Sequence, residues 1–162
     1  MLRPLQEADI ERLSQLWLHL ACGSHPSLPV RFWTLQGRAF RRQLVTQCRN
    51  QRLLGESTGS NHWVYTRAGS NIAEGMVTIT DNVLIQTIFV SPAVQRCGVG
   101  SELMAQAKFG RLQLETRVLE ENLHGRYFLQ QHGFTETERR FSTDAGQHEI
   151  WMNCKISIPA VA

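Results

Sequence analysis

The stretch Leu84-Ile-Gln-Thr-Ile-Phe-Val90-Ser91-Pro92-Ala-Val-Gln95-Arg96-Cys97-Gly98-Val99-Gly100-Ser101-Glu102-Leu103 decides the fold of this chain. Residues 84–90 are apolar and β-branched, the composition of a buried strand. Ser91-Pro92 stops that strand, because proline has no N–H to give to a ladder. Gln95 to Gly100 then turns into a segment with Val99, Leu103 and Ala107 at helical spacing. A strand, a glycine turn and a helix start together make an anion site. The glycines let the backbone approach closely, and unpaired N–H groups with the helix dipole face the ligand.

The loop lacks the Gly-Lys-Ser/Thr ending of a Walker loop and the three-glycine spacing of a dinucleotide fingerprint. It resembles the Gln/Arg-x-x-Gly-x-Gly/Ala pyrophosphate loop of the GNAT superfamily of acetyl-CoA-dependent N-acetyltransferases. Its place after a strand ending Val90-Ser91-Pro92 sharpens the match. Asn122, followed by Tyr127-Phe128 and Gly133-Phe134, resembles the same family's later cofactor helix. The two matches span residues 84 to 134.

At 162 residues the chain is about one domain, 1–162, long enough for a sizeable core. Met1-Leu2-Arg3-Pro4 leads into a polar helix rather than a signal peptide, and the apolar runs are too short for a bilayer. A cytoplasmic protein without a membrane partner is expected. Cys22, Cys48, Cys97 and Cys154 form no CxxC pair, and the histidines are scattered, so no metal is expected.

Net charge is only +3, yet it is unevenly placed. No Asp or Glu occurs from Arg12 to Gly55, where Arg12, Arg31, Arg38, Arg41, Arg42, Arg49 and Arg52 fall. The plain reading is a solvated helix face. The sharper one is a basic approach surface for an acidic substrate, or for RNA.

Leu2-Arg3-Pro4-Leu5 reads as a short strand, with Pro4 tolerable only at an edge. Asp9 reads as the N-cap of a helix whose Ile10, Leu13, Leu16, Trp17 and Leu20 share one face, ending by Gly23. A second helix, about 31–49, is expected to bury Phe32, Leu35, Ala39, Phe40, Leu44 and Cys48. Residues 56–61 read as a loop, and His62–Thr66 and Gly75–Thr80 as a hairpin about Ala68-Gly69-Ser70-Asn71. Leu112, Leu114, Thr116 and Val118 alternate with polar residues, as on a half-buried strand. Asn122 to His132 reads as a helix closed by Gly133. Phe134–Phe141 and His148–Ile158 read as a closing hairpin about Asp144-Ala145-Gly146.

The resemblance implies an α/β (α+β) GNAT fold: a mixed, mostly antiparallel sheet flanked by about four helices and splayed between strands 4 and 5. It implies that acetyl-CoA lies in that split, with Ile88, Phe89 and Val90 bonding the pantetheine arm. Gln95, Arg96, Cys97, Gly98, Val99, Gly100 and Ser101 would wrap the pyrophosphate, and the Asn122 amide would reach the pantetheine. Asn122 also fits a helix N-cap. Cys97 reads as a filler position, since a nucleophile needs a base partner that the sequence does not place.

The implied reaction is direct attack of a primary amine on the thioester in a ternary complex. The segment from Gln15-Leu16-Trp17-Leu18 through His25-Pro26 to Phe32-Trp33 looks like the corresponding region of small bacterial protein-lysine-acetylating members. A protein lysine or N-terminus is therefore the leading acceptor class. A small-molecule amine, an aminoacyl-tRNA and a non-catalytic acetyl-CoA-binding regulatory module are the alternatives, and a homodimer is compatible with the family.

The family's acid is a tyrosine in an Asn-x-x-Ala-x-x-Phe-Tyr helix. Asn122-Leu-His-Gly125-Arg-Tyr127-Phe128 reads as that motif with its last two residues exchanged, so Tyr127 and Phe128 both enter the catalytic set. Many relatives also carry a Glu in the strand before this helix. Counting back from Asn122 reaches Arg117, and Glu115, two residues earlier on the same face, is the candidate base.

Overall fold

A computed structural model describes residues 1–55 and 61–157. Seven strands form one sheet in the order β1-β2-β3-β4-β5-β7-β6. They are β1 (Leu2–Pro4), β2 (His62–Thr66), β3 (Ala73–Thr80), β4 (Leu84–Val90), β5 (Gln113–Leu119), β6 (Thr135–Ser142) and β7 (Gln147–Lys155). Four α-helices flank it: α1 (Ile10–Ser24), α2 (Val30–Leu54), α3 (Val99–Lys108) and α4 (Leu123–Gln131). Every strand pair is antiparallel except β4–β5. The expected sheet, helices and closing hairpin are all present, and Pro4 does lie on an edge strand.

The alternation of each strand divides the core into two layers. Val77, Ile79, Ile85 and Leu114 face one side of the sheet, where Val99, Leu103 and Met104 of α3 and Leu129 of α4 pack on them. Val64 and Met76 face the other, under Leu13 of α1 and Phe40, Leu44 and Cys48 of α2. Asp81 and Asn82 both adopt positive φ (52° and 60°) in the β3–β4 turn, a conformation Asn and Asp tolerate better than other side chains.

Three local expectations change. Asp9 is not a simple N-cap: it ends a short 3-10 turn, and its carboxylate accepts two hydrogen bonds from Arg3 (2.7 and 2.8 Å) and one from Gln6 N–H (2.9 Å). A charge-assisted fork outbids a lone cap. The buried stripe of α2 is Trp33, Phe40, Leu44 and Cys48, while Leu35 and Ala39 are exposed and Phe32 half-buried. Trp33 displaces them because a helix can turn only one face to the sheet. Leu112 is likewise exposed, since β5 begins at Gln113. Ile158 and most of the 56–61 loop lie outside the described residues.

Candidate active site

The parallel pair β4–β5 holds at a single register point, Leu84 opposite Glu115. Glu115 N–H donates to Val83 O (2.8 Å), and the buried Thr116 hydroxyl donates to Ile85 O (3.1 Å). Past that point β4 stays paired with β3 through Val90, and β5 stays paired with β7 through Leu119. An irregularity in the β3–β4 register between Thr78 and Ile79 leaves Gln86 as the extra residue of β4, and such bulges bend a strand. The two strands therefore part above Gln86. The β4 edge from Ile88 to Val90 faces a cleft, with backbone polar groups available to a third chain-like partner.

The turn into α3 closes the top of that cleft. Ser91 N–H donates to Glu74 O (2.7 Å), and Gln95 Nε2 caps the last carbonyl of β4, Val90 O (3.0 Å). Arg96 and Gly98 take positive φ (65° and 82°), which swings the backbone into the helix start. The first helix N–H to reach a carbonyl from this turn is that of Glu102, donating to Gly98 O (3.0 Å). The N–H groups of Val99, Gly100 and Ser101 precede it and are left by helix geometry for a ligand. Cys97 is exposed, with its thiol donating to Gln95 O (3.5 Å).

Gly100 also has a packing reason. A Cβ built there would lie 2.9 Å from Phe128 Cε2, so its missing side chain admits the α4 ring. Phe128 also packs on His132, ring centroids 4.5 Å apart. Burial and then the Lys108 charge lower the pKa of His132, whose ring stands 3.4 Å from the Ser101 hydroxyl.

Asn122 caps α4, its side-chain oxygen accepting from Gly125 N–H at 2.9 Å. The cap leaves its amide NH₂ free to donate elsewhere. A Cβ at Gly125 would come within 2.9 Å of that side chain, which explains the glycine.

The exchange read from Tyr127-Phe128 is a miscount. In the Asn-x-x-Ala-x-x-Phe-Tyr pattern the tyrosine is the seventh residue after Asn, which here is Leu129, buried in the core. Phe128 keeps the pattern's own phenylalanine. Tyr127 is exposed, its hydroxyl accepting from Gln131 Nε2 (3.0 Å). Thus α4 brings neither phenol nor carboxylate to the cleft.

Glu115 is half-buried on the sheet face opposite α3 and α4, at the base of the split. Arg117, one pair higher on that face, lies over the Trp151 ring at 5.5 Å and 3.9 Å from Glu149. Sequence reading missed a tether at the open end. Ser27, in the α1–α2 turn, donates from its hydroxyl (2.7 Å) and its N–H (3.3 Å) to Glu121, just before α4. Gln147 at the start of β7 joins both: its Nε2 donates to Ser27 Oγ (3.3 Å), and its Oε1 accepts from Glu121 N–H (3.0 Å). Burial would raise the Glu121 pKa, but these hydrogen bonds outweigh it and hold it low.

A split parallel pair topped by a glycine turn is the framework of one enzyme class, and the whole chain bears this out. A family model described as "Acetyltransferase (GNAT) domain" matches residues 28–155, and the chain belongs to that family. It is 25% identical over 134 residues to the peptidyl-lysine N-acetyltransferase YiaC of Escherichia coli, covering 83% of this chain and 82% of YiaC. Its fold superposes on apo YjaB of E. coli with a TM-score of 0.73 at 21% identity, covering 94% of each chain. The PaiA N-acetyltransferase of Thermoplasma acidophilum, solved with coenzyme A, gives a TM-score of 0.73 at 15% identity, covering 96% of this chain and 98% of PaiA.

Among the described residues no group of three metal-ligating side chains assembles, and no helix is long and apolar enough to cross a membrane.

Proposed function

We propose that this chain moves an acetyl group from acetyl-CoA to a primary amine of a protein, a lysine side chain or an N-terminus, in a ternary complex. The observation that carries this reading is the parting of β4 from β5 above the Leu84–Glu115 pair. It opens a strand edge directly below unpartnered N–H groups at a helix start, matching a ligand with a peptide-like arm and an anionic head. Coenzyme A in PaiA and the peptidyl-lysine acceptor of YiaC point to the same two substrates.

Acetyl-CoA supplies the activated thioester; this chain supplies position and fixed dipoles. The Ile88–Val90 edge orients the arm, the N–H groups of Val99, Gly100 and Ser101 hold the pyrophosphate, and Asn122 donates its amide. A β4 N–H aimed at the thioester oxygen favours charge developing there.

The amine must reach the site neutral, against a lysine pKa of about 10.4. We take Glu115 of β5 as the carboxylate that finally accepts that proton. It is level with Leu84, four residues below Ile88 and so about 13 Å along the strand. The proton therefore passes through water rather than by direct contact. With Leu129 at the tyrosine position, water also protonates the departing thiolate, which a thiol pKa of about 8.5 makes tolerable.

An acceptor screen reading free-thiol release tests the proposal. Release that depends on a lysine-bearing or free-N-terminal peptide supports it. No release above background with any amine, from protein that binds acetyl-CoA, would leave the non-catalytic binding module.

A further inference from the structure

A groove of about 590 Å³ runs between the start of α2 and the β6–β7 turn, beside the open end of the cleft. Pro29, Phe32 and Leu35 form its apolar floor, Arg31 and Arg38 stand on the α2 wall, and Asp144 stands opposite. Two features mark this groove. Leu35 is 63% exposed, an uncovered apolar side chain on a helix whose other face is already buried. And among the described residues neither Arg31 nor Arg38 has a carboxylate partner, whereas Arg12, Arg41 and Arg52 pair with Glu74, Glu11 and Glu7.

We infer that this groove reads the acceptor chain, selecting an extended peptide with two acidic residues four positions apart and an apolar side chain midway between them. The inference rests on the acetyl-transfer reading and adds the acceptor's sequence. The spacing follows from geometry. Arg31 and Arg38 are seven residues apart, which at 1.5 Å per residue is about 10 Å along α2. In an extended peptide residues i, i+2 and i+4 share one face, and four residues at about 3.3 Å each span about 13 Å, within reach of the two guanidinium arms. Leu35 lies between the arginines, where the intervening apolar side chain seats. Guanidinium forks suit carboxylates, and no acidic residue from Arg12 to Gly55 competes for them. Asp144 repels an acidic segment that strays across the groove, which confines both carboxylates to the α2 wall.

Fluorescence anisotropy with labelled peptides tests this apart from turnover. One peptide carries Asp-Ala-Leu-Ala-Asp beside a lysine, a second Asn-Ala-Leu-Ala-Asn, a third Lys-Ala-Leu-Ala-Lys. The acidic peptide should bind at least about tenfold tighter than the neutral one, with the margin shrinking as salt rises. The double variant Arg31→Glu, Arg38→Glu should invert the order toward the lysine peptide while coenzyme A affinity by calorimetry stays unchanged. Equal binding of the three peptides, or an order that survives the double reversal, would overturn the inference. Selective binding without acetylation would sink the transfer reading and keep the groove; acetylation of all three alike would do the reverse.

Discussion

Gly100 and Phe128 are packed face to face: a Cβ on the glycine would sit 2.9 Å from Cε2 and 3.3 Å from Cζ of the ring. This contact joins the first turn of α3 to the middle of α4, so the two walls of the proposed cofactor cleft are fixed to each other. Gly100→Ala should therefore cost about 1–3 kcal/mol, as overpacking does, seen as a lowered Tm. Phe128→Leu in the same chain should recover part of the loss, because the two sites share one contact.

Ser101→Asp separates ligand binding from packing. Ser101 is exposed in the first turn of α3, where a negative charge suits the helix dipole. Stability should hold or rise slightly. Coenzyme A affinity should fall by about 1.4–2.8 kcal/mol, ten- to a hundredfold, from repulsion of the pyrophosphate. Calorimetry and a melting curve on one sample check both.

Tyr127→Phe should change kcat less than about twofold. A phenol acting as the acid would be worth about 10²–10⁴-fold, but this one is exposed and bonded to Gln131. Glu115→Gln, by contrast, should lower kcat several-fold, less than direct proton transfer would cost because water lies between, with coenzyme A affinity unchanged. Steady-state kinetics with a single lysine peptide distinguishes the two.

What could be read from the sequence was what depends on near neighbours. Residues 84–90 run apolar and 148–155 alternate over a few positions, and both are strands; Ile150, Met152 and Cys154 turn inward, whereas in the expected buried strand 84–90 only Ile85 is buried. Asp9 was misread because its partner, Arg3, lies on a strand, and no helix-cap rule contains that fork. Leu35 and Ala39 fit a helical stripe as well as Trp33 and Phe40 do; only the sheet beneath decides which stripe is used. In the site, the glycine loop was legible as a motif, but the ring that Gly100 admits was not. Ser27 and Glu121 are 94 residues apart, and nothing local marks them as partners.

Ser27→Ala should loosen the α1–α2 turn from the start of α4. The lost hydrogen bond to a carboxylate is worth about 1–2 kcal/mol. A several-fold rise in acceptor KM is expected, with coenzyme A affinity unchanged. Glu121→Gln keeps the shape but weakens the same bonds, and should act in the same direction.

Acid stability should depend on His62, whose pKa burial lowers to about 4. The unfolded chain titrates this group near 6.5, so it binds the proton first, and stability falls as pH drops from 6.5 toward 4. Above 6.5 the group contributes no pH dependence. His62→Gln should flatten that part of the curve, by up to about 3 kcal/mol at its acid end. Urea melts at pH 7, 5.5 and 4 measure the difference.

The most direct test of the central claim is a ¹⁵N NMR titration with coenzyme A. Saturable shifts should concentrate in the amides of Ile88–Val90, Gln95–Ser101 and the Asn122 side chain. Saturable binding that leaves those amides in place, or no binding at millimolar ligand, would contradict the claim that the cofactor lies where β4 and β5 part.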